Sequence, residues 1–495
     1  MTNKTRIIFR ADGNSRIGLG HVVRSLALAQ MLREEFECVF AIQQPGQALQ
    51  EQIKQVCHGL IILPACTPEE DRFIHELEAY IAPDVLVVLD GYTFGTAYQQ
   101  NLKSKGCLLI CIDDIHAYPF VADVVLNQAG GVEAAAYTTA TYTKLLLGPT
   151  YALLRHPFLQ AAKATRTFPA APLRVLLNMG GADPENHTLR VAQSISQWPG
   201  ISTIEVVVGS AYKHRQELQQ WLGQQPNCIL HQNLSATAMC QLMQVCALAV
   251  TSASGIAYEY AAVGGMLYIL QTAANQQALY DFLTSTGIAR PYEHLEKQTT
   301  LPEKQVFDEQ VAVQRQHFDG KSDIRLKQVF DALRLQTSLR LRVATENDML
   351  LLHQWNNDPE VRSRSFNPEP ISLESHSHWF TAKLADPNSI IYLAIVEGEP
   401  AAQLRFELNS TTATISYLIS KAYRGKGLSH TLLLKGIGKL NHQRPGLRIV
   451  EGLVQPENTA SIRAFEKAGF LNGTAAPQHP GAHRYVLELT PPKEV

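Results

Sequence analysis

Arg10-Ala-Asp-Gly-Asn-Ser-Arg-Ile-Gly-Leu-Gly-His21 is the stretch from which the rest of the chain is read. Before it, the apolar run Ile7-Ile8-Phe9 has the character of a short buried strand. Behind it, Val22, Leu26, Ala29 and Leu32 recur at helical spacing. A strand, a loop with Gly13, Gly18 and Gly20, and a helix let backbone N–H groups approach a phosphate or a polar sugar closely. His21 falls at the helix start. A histidine at the positive end of a helix is favoured as neutral imidazole, the form that takes a proton from water. Asp12, just ahead of the loop, is placed to orient the ring, and Arg10 and Arg24 are candidate substrate contacts. Spacing alone fits a capping histidine in a plain turn equally well.

The 495 residues suffice for about three domains. Hydrophobic residues make up 45% and charged residues 18%, with a net charge of −2, so no nucleic-acid partner or basic membrane face is expected. No apolar run approaches the ~20 residues of a membrane span. The start, Met-Thr-Asn-Lys-Thr-Arg, leads into a strand without the apolar region of a signal peptide. Eight cysteines fall between Cys38 and Cys246 with no Cys-x-x-Cys pair, which reads as reduced, buried thiols of a cytoplasmic protein. No ligand cluster suggests a metal.

Further strands are expected at Cys38–Ile42, Ile61–Pro64, Asp84–Asp90, Leu108–Asp114 and Val124–Asn127, with helices over Glu69–Ile81 and Thr96–Lys105. The alternation implies a doubly wound parallel sheet, and in such sheets ligands bind beyond the carboxyl ends of the strands. Asp12, Asp90, Tyr92, Asp113 and Asp114 follow apolar runs and fall there, where they can bind sugar hydroxyls or merely cap turns.

A Pro/Ala stretch at 160–172 reads as a linker, after which the pattern restarts. Gly180-Gly181 and Ser254-Gly255 each lead into a helix and suit a diphosphate. Glu259, one turn on, can accept from both ribose hydroxyls.

From about Ser338 the character changes again: a strand, a helical segment, a hairpin, and the strand Thr414–Ser420. Tyr423-Arg424-Gly425-Lys426-Gly427-Leu428-Ser429 then opens a helix. Its N–H groups can hold a pyrophosphate, with charge from Arg424 or Lys426. Strand Ile449–Val454 and Asn458-Thr-Ala-Ser-Ile-Arg-Ala-Phe-Glu-Lys-Ala-Gly-Phe470 follow.

These motifs carry two resemblances. The opening motif through Leu28-Ala29 resembles the UDP-sugar hydrolases of pseudaminic acid biosynthesis. So do the Asp90-x-Tyr92 pair and Leu147-Gly-Pro-Thr-Tyr151-Ala-Leu-Leu-Arg155. Those enzymes share the two-lobed GT-B fold and use water as acceptor. The resemblance implies that His21 is catalytic and that UDP meets Gly181, Ser254, Gly255, Glu259, Asn275 and Gln276. The second half resembles the GCN5-related N-acetyltransferases, which implies acetyl-CoA at Arg424–Ser429 and a pantetheine contact from Asn458. Ser429 departs from the usual Gly or Ala. Phe465 stands where many members carry the Tyr that protonates the thiolate, so that role is unassigned. Trp355-Asn-Asn-Asp-Pro-Glu-Val-Arg362 and Ile371-Ser-Leu-Glu-Ser-His376 resemble the acetyltransferase of the same pathway.

The expected architecture is α/β: a GT-B pair of doubly wound parallel-sheet lobes (1–160 and 173–335), then a mixed α/β acetyltransferase domain (338–495). The expected partners are UDP-amino sugars. Glu451, on the strand after the cofactor helix, is the candidate base for acetyl transfer. Two other readings stay open: a true glycosyltransferase, and a non-catalytic acetyltransferase-like module that binds a sugar nucleotide. Oligomeric state is not readable.

Overall fold

A computed structural model describes residues 4–13, 19–169, 172–181, 183–297, 301–473, 479 and 481–489. Gly18 of the first loop lies outside them. The chain divides into two compact units, residues 1–139 with 144–328, and 140–143 with 329–495.

The first unit holds two parallel sheets. One comprises β1 (Arg6–Ala11), β2 (Glu37–Gln43), β3 (Gly59–Leu63), β4 (Leu86–Asp90), β5 (Leu108–Ile112), β6 (Val124–Asn127) and β7 (Lys144–Leu147). Their spatial order is β3-β2-β1-β4-β5-β6-β7. All five residues of β4 are buried, as a parallel strand covered on both faces requires. The second sheet comprises β8 (Leu173–Asn178), β9 (Ile201–Val208), β10 (Cys228–Gln232), β11 (Leu248–Ser252), β12 (Met266–Leu270) and β13 (Arg290–Pro291). They lie in the order β10-β9-β8-β11-β12-β13. In each sheet the strand order reverses once, between β1 and β4 and between β8 and β11. A crevice opens at such a switch point, outside the strands' carboxyl ends.

Two expectations change. Residues 69–81 form the 3₁₀ turns Asp71–His75 and Glu78–Tyr80 rather than an α-helix. Only Phe73 and Leu77 of that stretch are buried, too few to hold a longer helix against the sheet. The helix His156–Lys163 runs into the stretch read as linker, because Phe158, Leu159, Ala161 and Ala162 are buried.

The second unit is built on a mixed sheet of β14 (Arg340–Val343), β15 (Ser389–Val396), β16 (Glu399–Asn409), β17 (Thr412–Ile419), β18 (Ile449–Val454), β19 (Leu471–Gly473) and β20 (His483–Glu488). Its order is β14-β15-β16-β17-β18-β20-β19. Helices Leu428–Gln443 and Thr459–Lys467 pack on one face through Leu432, Leu433 and Phe465. Helices Met349–Asn356 and Leu373–Ala385 pack on the other through Leu352 and Phe380. Among the described residues the single parallel pair of this sheet is β17 with β18, and it is matched only over Thr412–Ile415 and Ile449–Gly452. Beyond those positions the two strands part, although each continues.

All eight cysteines are unpaired thiols, six of them buried and Cys66 and Cys228 half-buried. Among the described residues no helix is long and apolar enough to cross a membrane. No group of three His, Cys, Asp or Glu side chains among them is arranged to hold a metal ion.

Candidate functional site

The β1/β4 switch point brings His21 and Asp90 together. His21 enters on the helix Gly20–Leu32, which follows β1, and Asp90 ends β4. His21 Nδ1 lies 2.7 Å from Asp90 Oδ1. A carboxylate only accepts, so the Nδ1 proton is directed at Asp90 and Nε2 is left as the basic nitrogen. Asp90 is fully buried and also receives Arg24 at 2.6 Å and Ser25 Oγ at 3.0 Å. Burial pushes its carboxyl up, but the Arg24 guanidinium and the His21 contact outweigh burial and hold it below the usual carboxylate range. Arg24 also reaches Asp114 at 2.8 Å. The Tyr92 ring, half exposed, stands edge-on to the imidazole at 4.7 Å.

Three expected residues move out of this site. Asp12 does not orient His21. It pairs with Arg10 at 2.7 Å and accepts the Gln43 amide at 3.0 Å, so its carboxylate is committed to neighbouring strands. Arg10 is fully buried between Asp12, Glu76 and the Phe94 ring, and cannot touch substrate. Asp113 is buried and accepts the His116 amide and the Tyr137 hydroxyl, which makes it a loop anchor. Gly20 begins the helix, and a Cβ there would meet nothing within 4 Å. Tyr151 sits half-buried in the turn Pro149–Tyr151.

At the β8/β11 switch point the two glycine turns differ. Gly181 is exposed, but the helix that follows, His187–Ile195, is already capped: Asp183 accepts the His187 and Thr188 amides at 2.9 and 2.7 Å. The helix Gly255–Val263 has no side-chain cap, and the Ser254 hydroxyl turns to Ser252 instead. That end can receive an anion. Glu259 is held by a two-toothed contact from Arg155 at 2.6 and 2.7 Å. Burial pushes the Glu259 carboxyl up, against the pull of Arg155. Asn275 is exposed, while Gln276 accepts from Thr272 and so braces its own turn.

In the second unit a cavity of about 590 Å³ lies where β17 and β18 part, walled by Ile415, Tyr417, Leu453, His376, Arg405 and Phe465, among others. A smaller one of about 360 Å³ is walled by Arg424, Gly425, Ser429, Tyr417 and Ser461. Gly425 and Gly427 have φ of +74° and +75°, in the left-handed region. Such successive turns aim N–H groups outward. Leu428 is buried beneath them as the first residue of its helix.

Arg424 is not spare charge for this loop. It donates to Asp358 and Glu360, both at 2.9 Å, and to the Ile419 carbonyl. The exposed Lys426, 5.1 Å from the Tyr423 ring centre, is the cation the loop can offer. Asn458 caps its own helix by accepting the Ser461 amide at 3.2 Å.

Glu451 also departs from expectation. It belongs to the paired half of β18, is tied to Arg484 at 2.6 Å, and is not among the residues walling the cavity. His376, which the sequence offered only as part of a motif, is at the wall. It is 2% exposed, its Nε2 has no hydrogen-bond partner, and burial followed by the nearby His353 lowers its pKa. Trp379 and Phe380, one turn on along the same helix, supply its apolar setting, a spacing the sequence carries.

Residues 338–471 match the family model for the acetyltransferase (GNAT) domain. Over 499 aligned positions the chain is 24% identical to an uncharacterized protein of Methanocaldococcus jannaschii, covering 94% of this chain and 96% of that one. Over 296 positions it is 24% identical to UDP-2,4-diacetamido-2,4,6-trideoxy-beta-L-altropyranose hydrolase of Campylobacter jejuni, covering 58% of this chain and 100% of the relative. A crystal structure of an aminoglycoside acetyltransferase in complex with coenzyme A aligns with 30% of this chain and 95% of its own, at 23% identity and a TM-score of 0.27. The chain is therefore similar to a UDP-sugar hydrolase in its N-terminal region and carries an acetyltransferase domain after it.

Proposed function

We propose that this chain performs two successive steps on one UDP-amino sugar. The second unit transfers acetyl from acetyl-CoA to the 4-amine of UDP-4-amino-4,6-dideoxy-N-acetyl-β-L-altrosamine. The first unit then hydrolyses UDP-2,4-diacetamido-2,4,6-trideoxy-β-L-altropyranose to free sugar and UDP, with inversion. The observation that carries the hydrolase half is the His21–Asp90 contact at the sheet switch point, 2.7 Å long, with the Asp buried. Similarity to the Campylobacter jejuni hydrolase over that region supports the same reading.

Water attacks the anomeric carbon from the side opposite UDP. His21 Nε2 takes the proton, and Asp90 steadies the imidazolium that forms. UDP leaves toward the uncapped N-terminus at Ser254-Gly255, where the helix dipole stabilises its charge. Ribose replaces part of the Arg155 contact on Glu259. In the acetyltransferase, the diphosphate of acetyl-CoA lies on the Gly425–Gly427 turns with Lys426 beside it. The acceptor amine must lose a proton before it attacks, and His376, neutral at the cavity wall, is the group we assign to receive it. A cytoplasmic location accords with eight free thiols.

Mass spectrometry of products from UDP-4-amino sugars plus acetyl-CoA tests both halves. The expected products are the acetylated sugar nucleotide, then free diacetamido sugar and UDP with no other acceptor present. In His21→Ala, acetylation continues while UDP release falls by ~10²–10⁴. Transfer to a second sugar or a lipid, or near-normal hydrolysis by the variant, would overturn the assignment.

A further inference from the structure

We propose that Tyr417 is the group that gives a proton to the sulfur of coenzyme A as the acetyl group leaves. The inference rests on the acetyltransferase reading and fills a place in it that Phe465 cannot, since a phenyl ring has no proton to offer.

Tyr417 is the second residue of β17 beyond the last position paired with β18, Ile415 opposite Gly452. Its ring therefore rises from the part of the strand that has left its neighbour. That ring meets Phe465 at 6.0 Å, nearly edge to face. A phenol from the strand thus stands beside the ring at 465. The Tyr417 hydroxyl donates to Ser461 Oγ at 3.2 Å, and Ser429 is a second hydroxyl partner. Ser429 follows the glycine turns, and Ser461 lies in the first turn of the helix Thr459–Lys467.

Tyr417 and Ser461 wall both cavities, the larger one and the smaller one closed by Gly425 and Ser429. If the diphosphate rests on the turns and the acceptor sugar occupies the larger cavity, the thioester has to pass this phenol. Burial pushes the Tyr417 hydroxyl up from its ordinary pKa, against the two serines, so it holds its proton near neutral pH.

The step balances. The amine nitrogen bonds to the acetyl carbon, the carbon–sulfur bond breaks, and its electron pair goes to sulfur. The Tyr417 proton moves to sulfur and completes the thiol. The proton lost by the amine passes to His376 and on to solvent, and solvent returns one to the phenolate through Ser461.

The test uses the full chain. Tyr417→Phe removes one oxygen and keeps the ring. Its kcat for acetyl transfer should fall on the order of 10²-fold, with KM for acetyl-CoA within about twofold and no change in Tm. A second measurement is independent of any acceptor: ultraviolet titration of the thiol of bound coenzyme A. Loss of a donor to the thiolate should raise the titration midpoint by about one pH unit in Tyr417→Phe.

An unchanged kcat with an unchanged thiol titration overturns the inference. So does a joint fall of kcat, affinity and Tm, which is the mark of a packing role. If the unaltered chain acetylates no UDP-4-amino sugar, the proposed substrate falls, while the thiol titration still reads whether Tyr417 touches sulfur.

Discussion

Asp90 receives His21, Arg24 and Ser25 at once, so at the first switch point side chains hold other side chains in place. Around the parted strands of the second unit, Arg424 is drawn away to Asp358 and Glu360, and Glu451 to Arg484. The smaller cavity there draws on glycine backbone and the hydroxyls of Ser429, Ser461 and Tyr417, while Arg405 and His376 stand at the larger one. The difference follows from the chemistry each place is read to perform. Taking a proton from water needs one nitrogen aimed correctly, and aim comes from a buried network. Holding a long cofactor needs many weak contacts along a track, which backbone supplies without a charged group to desolvate.

Breaking the aimed network should have the largest effect. In Asp90→Asn the amide offers the imidazole a donor as well as an acceptor, so the ring turns to the wrong tautomer. Arg24 loses its buried counter-charge at the same time. UDP release should fall by ~10²–10⁴ and Tm should drop, while acetyl transfer by the other unit continues. Hydrolysis within a few-fold of normal would show that Asp90 does not set the ring.

Breaking the backbone track should cost less. At Gly427 a Cβ would find its nearest neighbour, Gln336 Nε2, at 3.5 Å, so space is not the obstacle. A β-branched residue at φ +75° is strained by ~1–3 kcal/mol, and the turn would relax away from the ligand. Gly427→Val should weaken acetyl-CoA binding by about 10–100-fold in calorimetry and spare hydrolysis of the acetylated sugar nucleotide. Unchanged affinity would place the cofactor elsewhere.

Glu451→Gln should have the smallest effect. A partly exposed pair such as Glu451–Arg484 is worth ~1 kcal/mol or less. The acetylation rate should therefore change by less than about fivefold. A loss of 10² or more would return Glu451 to the role of base and remove His376 from it.

What the sequence disclosed follows the range of the forces involved. Strand–glycine–helix units are local, so the helix start at Gly20, Ser254-Gly255 and the Gly425–Gly427 turns are legible from spacing. His21 was legible for the same reason. Its partner was not: Asp12 is nine residues away along the chain and Asp90 is 69, and only the β1–β4 pairing makes the distant one the neighbour. Arg10 and Arg424 looked like binding charges because a sequence does not reveal the acids that claim them. Tyr417 carried no signal, since its interest depends on where β17 leaves β18.

The cap that Asp183 places on the helix His187–Ile195 bears on the end of the proposed hydrolytic cycle. Of the two helix starts beside the second crevice, one is already satisfied by the protein's own carboxylate and one is open. In that proposed cycle a departing nucleotide meets a single uncapped helix end, worth ~0.3–2 kcal/mol, rather than two. Grip of that size steadies charge as the bond breaks, yet leaves the diphosphate loosely moored once the sugar has gone. Vacating the crevice, rather than cleaving the bond, is then spared the penalty that a second open helix end would impose.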